Sequence, residues 1–400
     1  MKSSVLYISY DGILEPLGQS QVLSYLERLA PERPIHLVSF EKAGDWKSAS
    51  SRAEITERIR AAGIHWYPRR YHKRPSALAT SYDIFVGLLT GWWLLVRHGI
   101  RIVHARSYVP AVMALILQKT TGARFVFDMR GFWAAERVDG GLWPSGSWLF
   151  RVATWFERRF LLNADIVVSL TEAGLAAMRG FPFLTGRFPS AVVIPTCTDL
   201  NRFRPRPEGQ NVPADHPFVL GYVGSVSTWY LLDEMLAFFG AIRSQRPEAR
   251  MLIVNRNEHE YIWRRIEASG LPSACFDVRS ASHAEMAKEI QRMNAGIFFY
   301  RPSFSRLATA PTKMGEFLAC GVPCVGNSGV GDVADVLARN SVGVVVHRHD
   351  PEAYRNAVSE LMALCQSPET RYRCVDAARR QFSLAEGALR YSEVYASLDP

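Results

Sequence analysis

The chain has 400 residues, 48% of them hydrophobic and 21% charged, the proportions of a globular protein and enough length for two domains with a core each. A formal charge of +9 calls for an anionic partner, either phosphates on a small ligand or an anionic membrane surface; no nucleic-acid-binding motif occurs, which leaves nucleic acid out. The six cysteines show no CxxC or Cys/His zinc spacing and the N-terminus "MKSSVLYISYDG" has no signal-peptide architecture, so a reduced, cytoplasmic setting is expected.

Taken in chain order, the first strands are expected at "VLYIS" (5–9), "IHLVSF" (35–40), "IHWY" (64–67), "RIVH" (101–104), "RFVFD" (124–128), "DIVVS" (165–169) and "AVVIP" (191–195). Most are continuous apolar runs, as in strands buried on both faces. Amphipathic segments such as "QSQVLSYLERLA" and "WLFRVATWFERRFLLN" lie between them, and this βαβα rhythm predicts a parallel sheet with helices on both sides. The most apolar run, "IFVGLLTGWWLLV" (84–96), is shorter than the ~20 residues a bilayer span needs. Before it stands "YPRRYHKRPS" (67–76). Basic residues beside Trp92 and Trp93 suit a surface resting on anionic lipid, and equally a basic loop ahead of a buried helix.

"NRFRPRPEGQNVPADHP" (201–217) is rich in proline, charge and turn formers and reads as a linker. A second set of strands follows at "FVLGYVG" (218–224), "RMLIVN" (250–255), "ACFDV" (274–278), "AGIFFY" (295–300), "VPCVG" (322–326) and "GVVV" (343–346). The expectation is an α/β protein of two doubly wound, Rossmann-like domains, 1–200 and 218–379, with a terminal amphipathic segment free to pack on either.

Open parallel sheets bind ligands at the carboxyl ends of their strands, and polar residues cluster there. In the first half these are Tyr10-Asp11-Gly12, His104 with Arg106, and Asp128 with Arg130 and Glu136; in the second, Gly224-Ser225, Asn255-Arg256 and Arg301. They read as two half-sites facing a shared cleft. In "EPLGQSQ" (15–21), Gly18 permits close backbone approach before a helix start, although a plain βα turn explains it as well. "GYVGSVSTW" (221–229) offers Gly224, Ser225 and Thr228 as donors to a phosphate, again against a plain turn.

"ATAPTKMGEFLACGVPCVG" (308–326) is sharper. Pro311 suits the first position of a helix, leaving the amides of Thr312 and Lys313 to point outward with the positive end of the dipole. Lys313 adds a full charge, and Glu316 follows Thr312 by one turn. A diphosphate at the helix start and a ribose diol one turn along fit this arrangement; so does an ordinary solvated Lys/Glu pair.

These residues resemble the family 4 retaining glycosyltransferases, whose fold is GT-B. "TKMGEFLACGVPCVG" looks like the family signature, "VVIPTCTDLNRFRP" like its "IPNGVDxxRF" block, and "FDMRGFWAAERVDGG" with "VHARSYVPA" like a subgroup acting in polysaccharide and glycoconjugate assembly. The resemblance implies transfer from a nucleotide diphosphate sugar, a UDP-sugar ahead of a GDP-sugar, to a glycan or lipid-linked acceptor, with retention and without a metal. It implies a donor site in the C-terminal domain, with Glu316 on the ribose, Gly18 near the phosphates, and a last helix (380–400) that completes the first domain. Donor contacts are then expected from Gly224, Ser225, Asn255, Arg256, Arg301, Arg306, Thr309, Ala310, Pro311, Thr312 and Lys313. Arg106, Asp128, Arg130, Trp133 and Glu136 are expected on the acceptor side. His104, Asp128, Arg130 and Lys313 are the expected catalytic groups; Asp128 capping a turn and pairing Arg130, and His104 as a hydrogen-bonded core histidine, are the other readings.

Two departures stand out. Ala308 occupies the position of the family's first motif glutamate, and "GSVSTWYLLDE" lacks the Arg and Lys that follow the first strand of the second domain in many members. The cations left to meet the diphosphate are Arg301, Arg306 and Lys313. A nucleotide-sugar 2-epimerase and a catalytically silent two-lobed binding protein remain as other readings.

Overall fold

In the computed structural model, which describes residues 2–207, 216–282 and 284–399, every one of the expected apolar runs forms a strand. The first seven are β1 (Val5–Ser9), β2 (Ile35–Glu41), β3 (His65–Arg70), β4 (Ile102–Arg106), β5 (Arg124–Asp128), β6 (Ile166–Ser169) and β7 (Ser190–Val193). They make one sheet in the order β3-β2-β1-β4-β5-β6-β7, parallel throughout. The second sheet holds β8 (Val219–Val223), β9 (Arg250–Val254), β10 (Phe276–Arg279), β11 (Ala295–Phe298), β12 (Cys324–Asn327) and β13 (Gly343–Val346). Its order is β10-β9-β8-β11-β12-β13, also parallel.

The apolar runs explain this architecture. All five residues of β1 and all seven of β2 are buried, as helices on both faces of a parallel sheet require. Each sheet runs outward from its first strand, then returns to add strands on the other side. The chain therefore reverses direction between β1 and β4 in one sheet and between β8 and β11 in the other, where open α/β sheets leave a crevice at their carboxyl ends.

The chain divides into two compact units, residues 1–195 with 384–400, and residues 196–383. The last helix, Leu384–Ala396, belongs to the first unit, where Tyr391 meets Tyr25 edge-on at 5.6 Å. Asp399 ties down the chain end by pairing with Arg33 at 3.2 Å and accepting from the Ser3 amide. In the second unit the Thr198 amide donates to the Phe382 carbonyl at 2.7 Å. Residues 208–215 of the expected linker lie outside the described residues.

Three expectations change. Gly18 is not in a loop: residues 16–29 are helical, with a π-turn over Gln19–Leu23. Arg106, not His104, ends β4. The apolar run 84–96 is part of a longer helix, Ser76–His98, of which 22 residues are long and apolar enough by length and composition to cross a membrane, with 39% of the most apolar window buried. The sequence run looked short because Ser81, Tyr82 and Asp83 interrupt it, and Asp83 is turned inward to accept from Tyr10 and His72.

Candidate functional site

In the second unit, the helix Thr312–Ala319 brings Lys313 to the carboxyl end of β8. Pro311 is its N-cap rather than its first helical residue and offers no side-chain cap. The first amides of the helix thus stay available to an anion. Lys313 does not lie on the solvated face. It is buried, its Nζ 3.1 Å from the Tyr222 hydroxyl and 4.2 and 4.0 Å from the ring centres of Tyr222 and Tyr230, with Tyr300 further out at 5.8 Å.

A cation over aromatic faces keeps its charge while losing water. Burial draws the Lys313 ammonium below the ordinary lysine value, and Tyr230 partly offsets this. The ammonium lies under Gly224, whose missing Cβ would stand 3.4 Å from Nζ and whose φ of +112° is a conformation that favours glycine.

The loop after β8 is braced from behind by Asn255 and Glu258. The Asn255 side-chain amide donates to the Gly224 carbonyl at 2.9 Å and to Glu258 at 2.8 Å, while Glu258 accepts from the Val226 amide at 3.0 Å. Although burial opposes ionisation, these donors and the nearby serines hold the Glu258 carboxyl down at about 2. Asn255 is therefore a buried brace of the glycine loop, and Arg256 and Ser225 are exposed beside it.

The other two cations differ in setting. Arg306 is buried, its guanidinium 4.4 Å above the Trp229 ring, whereas Arg301 is exposed and its amide donates to the Trp229 carbonyl at 2.8 Å. Ala308 is 2% exposed inside the 3-10 turn Phe304–Ala308. Thr309, Ala310 and Thr312 are partly open at the helix start. Glu316 sits one turn deeper, half-buried, its carboxyl pushed up to about 7 by burial against the pull of Lys313 and Arg202.

In the first unit, the register sets Ser9 beside Arg106 and Arg106 beside Asp128. His104 and Asp128 are fully buried. His104 stacks on Tyr7 at 4.3 Å, bonds Tyr395 through Nδ1 at 2.8 Å, and has Nε2 3.6 Å from Asp128. Tyr391 donates to Asp128 at 3.0 Å. Burial opposes the Asp128 charge, yet Arg130, His104 and Arg106 hold its carboxyl down at about 2, while burial keeps His104 neutral by lowering its pKa.

The expectation that His104 and Asp128 face a ligand is corrected: the last helix covers both. Arg106 is buried between Asp11 at 3.5 Å and Asp128 at 3.7 Å. Arg130 is partly open in a left-handed turn at φ +59°. Trp133 and Glu136 are partly open on the short helix Trp133–Asp139, where Arg137 covers the Trp133 ring at 5.0 Å.

Gly18 approaches backbone, as expected, but the backbone is its own loop: a Cβ there would stand 1.9 Å from the Gly12 carbonyl oxygen. Buried Glu41 holds that loop by accepting from the Ile13 and Leu14 amides at 2.9 and 3.2 Å.

Sequence reasoning missed Tyr222, Tyr230, Tyr300, Glu258, Glu41, Tyr391 and Tyr395. A signal existed for two of them: Tyr222 interrupts an otherwise aliphatic strand and Tyr300 ends one. The others act across distances of chain that no local pattern reports.

Residues 22–197 match the glycosyl transferase 4-like domain and residues 204–381 match glycosyl transferases group 1. No curated protein is similar enough in sequence to be matched to the chain. Among solved structures, sucrose-phosphate synthase from Thermosynechococcus elongatus superposes with a TM-score of 0.71 at 15% identity, covering 99% of both chains. A glycosyltransferase from Rickettsia africae gives 0.71 at 12% identity over 99% of this chain and 98% of its own. HepE from Anabaena, solved with UDP and glucose, gives 0.66 at 14% identity over 99% of this chain and 100% of its own. With family matches in both halves and this shared architecture, the chain belongs to the GT4-type glycosyltransferases and has their GT-B fold.

Proposed function

We propose that the protein moves a sugar, with retention of anomeric configuration, from a nucleotide diphosphate sugar to a glycan or lipid-linked saccharide at the cytoplasmic face of a membrane. The reading rests on one observation: the Lys313 ammonium is held under Gly224 at the start of the helix Thr312–Ala319, so a full charge and free amides meet at the β8/β11 reversal. Such an arrangement stabilises a departing diphosphate.

In the step itself the acceptor oxygen bonds the anomeric carbon as the bond to the diphosphate oxygen breaks. The acceptor proton passes to the departing phosphate on the same face. Thr309 to Thr312 offer backbone to the donor, Glu316 the ribose contact, and Arg301 and Arg306 flanking charge. On the acceptor side, Arg130, Trp133 and Glu136 line the end of the first sheet, with Arg106 buried behind them between Asp11 and Asp128. A UDP-sugar is the favoured donor, since HepE has been solved with UDP-glucose.

A thermal-shift series with UDP, GDP and their sugars tests the donor. A ligand at 100 times its dissociation constant adds about 2.7 kcal/mol, so one base should raise the melting temperature clearly above the other. Transfer should persist in EDTA, and the product anomer read by NMR should keep the donor's configuration. Nucleotide release that needs no acceptor, with a 2-epimerised sugar, would replace this reading by the epimerase.

A further inference from the structure

The helices Ser76–His98, Tyr108–Thr121 and Trp148–Asn163 pack side by side against the first sheet. Two of them carry apolar stripes that nothing among the described residues covers. On the first, Leu78, Tyr82, Phe85, Leu89, Trp92 and Val96 are each more than 50% exposed. Their spacing of four and three puts them on one face. On the third, Trp148, Val152 and Trp155 repeat the spacing and are 59%, 43% and 51% exposed.

Charge on these helices is sorted in the same way. Their sequences hold just two acidic residues, Asp83 and Glu157, and both are buried. Their cations, Arg97, Lys119, Arg151, Arg158 and Arg159, are all exposed, and Lys73 and Arg74 stand exposed just before the first helix. Arg159 covers the Trp155 ring at 4.9 Å. The result is an aromatic and aliphatic surface with exposed positive charge and no exposed carboxylate on the helices that carry it.

We propose that this helical layer docks lengthwise on an anionic membrane, with the aromatic stripes at the headgroup boundary and the arginines on lipid phosphates. Trp and Tyr favour that boundary, and each cation adds attraction to an anionic leaflet. The helix Ser76–His98 does not cross the bilayer in this arrangement, because its other face is seated on its own unit. A Cβ at Gly87 would stand 2.5 Å from the Met113 sulfur, and one at Gly91 2.8 Å from Leu117. A second copy of the chain is a poorer occupant, since it would set these cations against their equals without a carboxylate between them.

Flotation of the full chain with vesicles tests the proposal and reads no transfer activity, so it stands or falls apart from the proposed reaction. The chain should float with phosphatidylglycerol/phosphatidylcholine vesicles, not with phosphatidylcholine alone, and should be released by salt. Phe85→Ser with Trp92→Ser should lower the bound fraction at least about tenfold. Arg158→Gln with Arg159→Gln, confined to exposed guanidinium groups, should lower it about fivefold per residue and leave the melting temperature unchanged. Absence of binding to anionic vesicles, or equal binding by the arginine variant, overturns the proposal. So does a solution dimer that Phe85→Ser with Trp92→Ser dissociates, which would give the face to a second copy.

Discussion

The Nζ of Lys313 lies 4.0 Å from the centre of the Tyr230 ring and 3.1 Å from the Tyr222 hydroxyl. A flexible lysine is thereby reduced to one direction before any ligand arrives. Preorganised charge costs no reorganisation during reaction, which is why its removal is expensive.

Lys313→Ala should lower kcat by about 10² to 10³, the range for losing one preorganised stabilising group. Lys313→Arg should rescue little, because a planar fork does not fit a cage built for an ammonium. Steady-state kinetics with saturating donor check both, and turnover like that of the native chain would remove Lys313 from the reaction.

Tyr222→Phe keeps the ring under the ammonium and deletes the hydroxyl bonded to it. A cost of about 1 kcal/mol is expected, or roughly fivefold in kcat/KM. Melting should change little, since the Ser225 carbonyl, which accepts from the Tyr222 hydroxyl, stands at an exposed residue.

Asp128 is placed for stability rather than for direct contact with substrate. Its folded pKa lies below its unfolded value, so it stabilises the fold above about pH 4, and this is lost as pH falls through about 2. Asp128→Ala leaves buried Arg106 beside an empty site and should cost about 3–5 kcal/mol. Urea unfolding at neutral pH checks this; native stability with lost activity would return Asp128 to the reacting groups.

Glu157 behaves oppositely. Burial raises its carboxyl to about 7, against the hydrogen bond from Tyr108. The folded state therefore binds more protons than the unfolded one between about pH 4.5 and 7, and stability falls as pH rises through that window. Glu157→Gln keeps the acceptor for Tyr108 and removes the charge. The variant should melt higher than the native chain at pH 8 and equally at pH 4.

Gly18→Ala should destabilise the first unit by about 2 kcal/mol or more, since its methyl group meets the Gly12 carbonyl and the surrounding loop is pinned by Glu41. Thermal melting measures it. A neutral effect would mean that the loop shifts freely.

The strands were legible because burial on both faces demands continuous apolar runs, and "VLYIS" or "GVVV" can do little else. The helix start at Thr312 was legible from Pro311 and from the small residues around it. Less legible was the direction of each polar side chain. "RIVH" and "RFVFD" end in polar residues, yet His104 and Asp128 turn into the core because the last helix, 291 and 263 residues further along, brings Tyr395 and Tyr391 over them. The pattern of Lys313 and Glu316 on one helix resembles a solvated pair, and it is Tyr222, Tyr230 and Tyr300 from outside that helix that surround the lysine.

By itself, then, the sequence determined the strands, their parallel α/β arrangement in two domains and the glycosyltransferase family, since these follow from local hydrophobic periods and short motifs. Tertiary structure alone decided which charges are solvated, which are held over aromatic rings and which lie beneath the last helix. Those outcomes depend on side chains far apart in sequence and on the water they exclude together, and no local stretch encodes that.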